Sequence, residues 1–149
     1  MRVVVDARWI FPEISGIGEY TRELIRALAD IDPDTEYKLL LRDGPLRDRL
    51  EAELRPASRG NVCAVSVPYG VFSPANQFRL PGLLRRLGAD VFHSPNYMIP
   101  FLAFPRHRRG QTACVVTLHD VIPLLFPSSA PRSRKARWFP LYRKLMIEV

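Results

Sequence analysis

Short β-branched and apolar runs alternate along the chain with stretches whose apolar side chains recur every three to four positions. No other feature restricts the fold as much. Arg2-Val-Val-Val-Asp6 has no helical periodicity and suits a buried parallel strand. Ile17 to Ala29 follows, with Ile17, Tyr20, Thr21, Leu24, Ile25 and Leu28 on one helical face and Arg22, Glu23 and Arg26 on the other. Asp32-Pro33-Asp34 then supplies turn formers and a residue that cannot continue a helix. The pattern repeats as strand Glu36 to Leu41, helix Leu46 to Leu54, strand Asn61 to Val67, helix Gln77 to Leu87, strand Asp90 to His93 and strand Thr112 to Leu118. A last helix is predicted from about Ser133, with Pro140 kinking it or delaying its start.

Strands and helices of these lengths imply βαβ units with right-handed crossovers. The predicted fold is α/β, a Rossmann-like open and mostly parallel sheet with helices on both faces. The 149 residues suit one domain, which at this size buries roughly two thirds of the surface its unfolded chain exposes. Apolar residues make up 47% and charged residues 25%, which excludes a disordered chain. The richest apolar run, Tyr97 to Pro105, is interrupted by Pro100 and Pro105 and falls well short of the ~20 residues of a membrane span. The first strand begins at Arg2, which predicts no secretory leader and a cytoplasmic protein. Cys63 and Cys114 lie far apart in apolar runs without a second ligand at metal spacing, and two buried thiols are expected.

The net charge of +7 is unevenly spread. Residues 1 to 78 carry 10 Lys and Arg against 12 Asp and Glu, whereas residues 79 to 149 carry 12 against 3. Such asymmetry fits a second half that faces an anionic partner. Arginine supplies 19 of the 22 basic residues, as coding composition alone would also produce. The basic runs Arg106 to Gly110 and Arg132 to Arg137, flanked by Phe101, Phe104, Trp138 and Phe139, read either as an anionic-membrane anchor or as a solvated face.

Ligands of open α/β sheets bind beyond the carboxyl ends of the strands, where strand order reverses. With the order 3-2-1-4-5, Gly16-Ile-Gly18, His93-Ser-Pro-Asn96 and His119-Asp120 converge there. Gly16 and Gly18 mark a helix start whose amides and dipole favour an anion, or equally a glycine-rich turn with no ligand. His119 can hydrogen-bond a sugar hydroxyl or share charge with a carboxylate. The plainer alternative has it satisfying the backbone while Asp120 caps a turn. His93 and Asn96 are candidate ligand contacts in a segment that also reads as ordinary turn chemistry.

Three segments carry a resemblance. Val5-Asp-Ala-Arg8 followed by Gly16-Ile-Gly-Glu-Tyr-Thr-Arg-Glu-Leu24, then Asp90-Val-Phe-His-Ser-Pro-Asn96, then Val116-Thr-Leu-His-Asp-Val-Ile-Pro123, resemble the amino-terminal domain of family 4 glycosyltransferases, in family order. The resemblance implies half of a GT-B fold and a retaining transfer of a hexosyl group from a nucleotide-diphosphate sugar to a saccharide or lipid-linked acceptor, with no metal or other cofactor. Gly16 and Gly18 would then lie against the donor diphosphate or the acceptor, with Glu19 and Tyr20 near the acceptor. His119 would contact the donor sugar and Asp120 would support its loop. The family's donor-binding carboxyl-terminal domain, with its paired glutamates, has no counterpart in residues 1 to 149. The expectation is therefore an incomplete amino-terminal, acceptor-side domain, inactive without its other half and peripheral at the inner membrane face.

Two other readings share the sheet pattern. A dinucleotide-binding domain wants G-x-G-x-x-G immediately after strand one, but here the glycines follow a loop from Ala7 to Ser15 and position 21 is Thr. A non-catalytic module would merely hold an acceptor, membrane or partner protein. Nucleic-acid binding is not expected, because no aromatic stacking motif or recognition helix accompanies the charge.

Overall fold

Five strands, Arg2–Val5 (β1), Glu36–Leu41 (β2), Val62–Ser66 (β3), Val91–Ser94 (β4) and Ala113–Val116 (β5), form one parallel sheet in the order β3-β2-β1-β4-β5. Three helices connect them: Gly16–Ile31 (α1), Pro45–Leu54 (α2) and Ala75–Leu87 (α3). The computed structural model describes residues 1–13, 15–54, 60–104 and 112–120. The expected helix from Ser133 and the basic runs Arg106 to Gly110 and Arg132 to Arg137 lie outside the described residues.

Alternation along the strands divides the core in two. Val3, Val5, Tyr37, Leu39 and Leu41 face one side, where Ile25 and Leu28 of α1 and Leu46 and Leu50 of α2 cover them. Val4, Leu40 and Phe92 face the other, under Leu80 and Leu84 of α3 and under Ile99 and Phe104, which flank a short 3-10 turn. The sheet is thus covered on both faces, as the strand-helix alternation predicts. Central β1 is apolar from Val3 to Val5 because neither of its faces meets water there: Val4 and Val5 are fully buried.

The helix ends follow local chemistry. Ser15 caps α1 by accepting from the Gly18 amide at 3.1 Å, and Asp32 closes the helix as its N–H reaches the Leu28 carbonyl. At the end of α3, Gly88 takes a left-handed conformation with φ 62°, and the Ala89 amide reaches back to the Leu84 carbonyl at 3.1 Å. Pro81 lies inside α3, where its missing N–H removes one rung of the helix ladder.

One expectation is corrected. Cys114 is half-buried against the α3-side core, but Cys63 is exposed. It belongs to the edge strand β3 and registers with Lys38, so no apolar layer covers it. Among the described residues, no helix is long and apolar enough to cross a membrane.

Candidate functional site

The carboxyl ends of β1, β4 and β5 lie side by side, with Val5, His93 and Val115 in register across them. Two backbone bonds extend this edge past the strands: Asp6 N–H donates to the His93 carbonyl at 2.9 Å and Thr117 N–H to the Ser94 carbonyl at 3.0 Å. Strand order reverses beside β1, since β2 and β4 flank it while the chain crosses over from β3 to β4. The site expected from an open α/β sheet therefore falls where Tyr20, His93 and His119 meet.

His93 alternates with Phe92, so its ring lies on the α1 side of the sheet, where it is 8% exposed. Burial holds its imidazole below the ordinary histidine value. His93 Nε2 is 2.9 Å from Thr117 Oγ1, which in turn is 3.1 Å from the Tyr20 hydroxyl. Tyr20 occupies the second turn of α1 and sits at the surface, not in the apolar face that periodicity assigned it. Its ring meets the His119 ring edge-on at 4.9 Å between centroids.

His119 Nε2 is 2.8 Å from the Pro95 carbonyl. A carbonyl oxygen only accepts, so Nε2 carries a proton, and in the neutral ring Nδ1 is left as a bare acceptor suited to a hydroxyl. The loop that provides this carbonyl is itself tied down. The buried Ser94 hydroxyl is shared between the carbonyls of Asn96 and Met98, at 2.6 and 2.9 Å. Asn96 is buried, and its Oδ1 accepts from the Tyr97 amide at 2.7 Å. Asp120 is exposed, and its charge adds to burial, the larger cause, in raising the Tyr97 phenol.

The start of α1 completes this edge. Gly16 has open space where a side chain would stand, whereas a Cβ on Gly18 would meet Ser15 Oγ at 2.9 Å and the Trp9 carbonyl at 3.3 Å. Gly18 lets the helix close on the preceding 3-10 turn, Ala7–Trp9, and only Gly16 offers its face to a ligand. Glu19 pairs with Arg22 at 3.3 Å.

The sequence profile of glycosyltransferase family 4 matches residues 14–148, nearly the whole chain. The chain belongs to glycosyltransferase family 4. No curated protein and no solved structure matches it significantly.

Two features of this family 4 domain escaped sequence reasoning. Arg8 is 4% exposed, and its guanidinium grips both oxygens of buried Asp6 at 2.7 Å while donating to Asn76 Oδ1 at 2.8 Å and to the Tyr69 carbonyl at 3.1 Å. Every described contact of that side chain is internal, which makes it a tie between β1, the loop after β3 and α3. Thr117 is the other, and its signal was present. Strand alternation places residues 115, 117 and 119 on one face, so the hydroxyl two residues before His119 belongs to the same edge.

A groove of about 500 Å³ also opens on the family 4 domain, lined by Tyr69, Phe78, Arg79 and Arg86 among others. It lies between the end of β3 and α3, and its lining includes none of Tyr20, His93, Thr117 and His119. The dinucleotide alternative finds no matching geometry. Ten residues, Asp6 to Ser15, separate β1 from α1, and Asp43 after β2 is engaged by Ser66 and Arg47.

Proposed function

We propose that this domain is the acceptor-side half of a retaining hexosyltransferase, working between a nucleotide-diphosphate sugar and a saccharide or lipid-linked acceptor. The observation that carries the reading is the convergence of Tyr20, Thr117 and His119 at the strand ends beside the open start of α1, in a chain of glycosyltransferase family 4. Hydroxyls and imidazoles in one row suit a polyhydroxylated ligand, each accepting or donating according to the sugar hydroxyl that meets it. His119 Nδ1 accepts from a donor-sugar hydroxyl. The amides at Gly16 and the dipole of α1 face the diphosphate or an anionic acceptor, with Glu19 and Tyr20 on the acceptor side. Gly18, His93, Asn96 and Asp120 shape and support these contacts. A second lobe supplies the remaining donor contacts, and the reaction needs no cofactor beside the nucleotide sugar and its acceptor.

The same reading places the protein in the cytoplasm, peripheral at an anionic membrane face. Helix α3 supports it with Arg79, Arg85 and Arg86, no acidic residue, and Phe78 at 76% exposure. Sedimentation with phosphatidylglycerol vesicles, lost in Arg79→Glu/Arg86→Glu, checks this part. A domain left equally in the supernatant with anionic and zwitterionic vesicles removes it.

The decisive assay is glycosyl transfer across a panel of nucleotide sugars by the protein carrying both lobes, compared with its His119→Ala variant. Loss of the Nδ1 contact lowers kcat/KM by roughly tenfold or more, the worth of a hydrogen bond to a reacting ligand, with a far smaller effect on thermal unfolding. Equal turnover by the variant removes His119 from the site. Lipid or partner binding without transfer of any sugar favours a non-catalytic module.

A further inference from the structure

Thr117 Oγ1 is the one described atom that joins the buried ring of His93 to the exposed phenol of Tyr20, at 2.9 and 3.1 Å. Its place is fixed by the backbone, because the Thr117 amide extends the β4–β5 ladder by bonding the Ser94 carbonyl. A threonine hydroxyl has a single proton and two lone pairs, so it donates to at most one of its two neighbours and can accept from either or both. Two of the arrangements this allows carry one direction through the whole row of three. In one, Tyr20 donates to Thr117 and Thr117 to an unprotonated His93 Nε2, leaving the phenol oxygen only lone pairs for a ligand. In the other, His93 Nε2–H donates to Thr117 and Thr117 to Tyr20, whose own proton is then free to point outward.

We infer that Thr117 is a positioning residue: it holds the Tyr20 hydroxyl beside His119 and passes to it the hydrogen-bond direction set by His93, so that Tyr20 reads one hydroxyl of the acceptor. The substrate part rests on the transferase reading above, whereas the relay itself does not. Val5 and Val115, the register neighbours of His93, are apolar, so Thr117 is the polar link between His93 and the surface. Tyr20 lies in α1 and His119 beyond β5, so without this link two elements would orient their rings independently. No covalent step is involved, and His93 acts on the ligand only through the two hydroxyls.

The test begins with the 149-residue chain and no ligand. Side-chain ¹⁵N shifts report the protonated nitrogen of His93, and ring-to-ring nuclear Overhauser effects report the Tyr20–His119 contact. Thr117→Val is expected to shift the His93 nitrogens and weaken the ring contact, Thr117→Ser to restore both, and Tyr20→Phe, at an exposed position, to shift His93 without unfolding. Unchanged His93 nitrogens and an intact ring contact in Thr117→Val overturn the relay. In the two-lobed protein, Thr117→Val and Tyr20→Phe should each raise the acceptor KM by roughly five- to tenfold with a smaller change in kcat, and Thr117→Ser should return it to wild type. Unchanged acceptor KM in both variants overturns the substrate role. A wild-type protein that transfers no sugar sinks the transferase reading alone, while the NMR result still decides the relay.

Discussion

Replacing Arg8 by alanine should destabilise the domain more than any change at the surface. The Arg8 and Asp6 side chains are 1% and 3% exposed, and the guanidinium provides the two 2.7 Å contacts that neutralise the carboxylate. Without it Asp6 keeps only the long bond from the Arg8 amide at 3.4 Å, and a charge stays in the interior without a counter-ion. Breaking a buried pair from one side costs about 3–5 kcal/mol. Against a total stability of roughly 5–15 kcal/mol this is about a fifth or more of the whole. The expected drop in Tm is about 6–20 °C for a domain of this size. In urea, with a slope near 2 kcal/mol/M, the midpoint should fall by about 2 M. The double change Asp6→Leu/Arg8→Met removes both charges and should recover most of the loss, because the cost lies in the orphaned charge. Circular dichroism through urea titrations of the three variants measures all of this. A loss below about 1 kcal/mol in Arg8→Ala, or a double variant as unstable as the single one, would refute the argument.

Gly16→Ala should leave stability within about 0.5 kcal/mol, since nothing lies within 4 Å of the added methyl. Gly18→Ala should cost about 1–3 kcal/mol, because its methyl presses on the Trp9 carbonyl; equal urea midpoints for the two variants would contradict the packing. Burial pushes the Cys114 thiol up to about 12, while Cys63 is exposed, so iodoacetamide at pH 8 should label Cys63 first. Comparable labelling of both thiols in the folded chain would overturn that order. Burial holds His93 below its ordinary 6.5, so just under that pH the unfolded chain binds the extra proton and the folded one does not. Stability should therefore fall as pH drops through 6.5 and level off once His93 protonates in the folded state. A His93→Gln variant with the same pH dependence would assign the effect to other groups.

Much of the fold was legible because backbone periodicity is a local property. β2 runs from Glu36 to Leu41 as read from its apolar residues, and the other strand and helix limits move by only a few positions. The order 3-2-1-4-5, supposed in placing the strand-end loops, is the order the sheet has, with the apolar first strand central and buried on both faces. The glycines, His93 and His119 could be placed at strand ends from the same periodicity. What the sequence left open was which side chains meet. Tyr20 and Thr117 are 97 residues apart, and periodicity put Tyr20 in the core because it counts a phenol as apolar. Only the approach of α1 to the end of β5 turns that hydroxyl to the surface. Arg8 is buried only because the loop after β3 and the start of α3 close over it and supply its carbonyl and amide partners. Cys63 reads as buried until β3 proves to be an edge. Local pattern fixes the period and polarity of each element, but partners distant in sequence meet only once the sheet is ordered and the helices are laid across it. That is why the framework of this domain could be written down from its residues, whereas the row of Tyr20, Thr117 and His93 was decided by the tertiary structure.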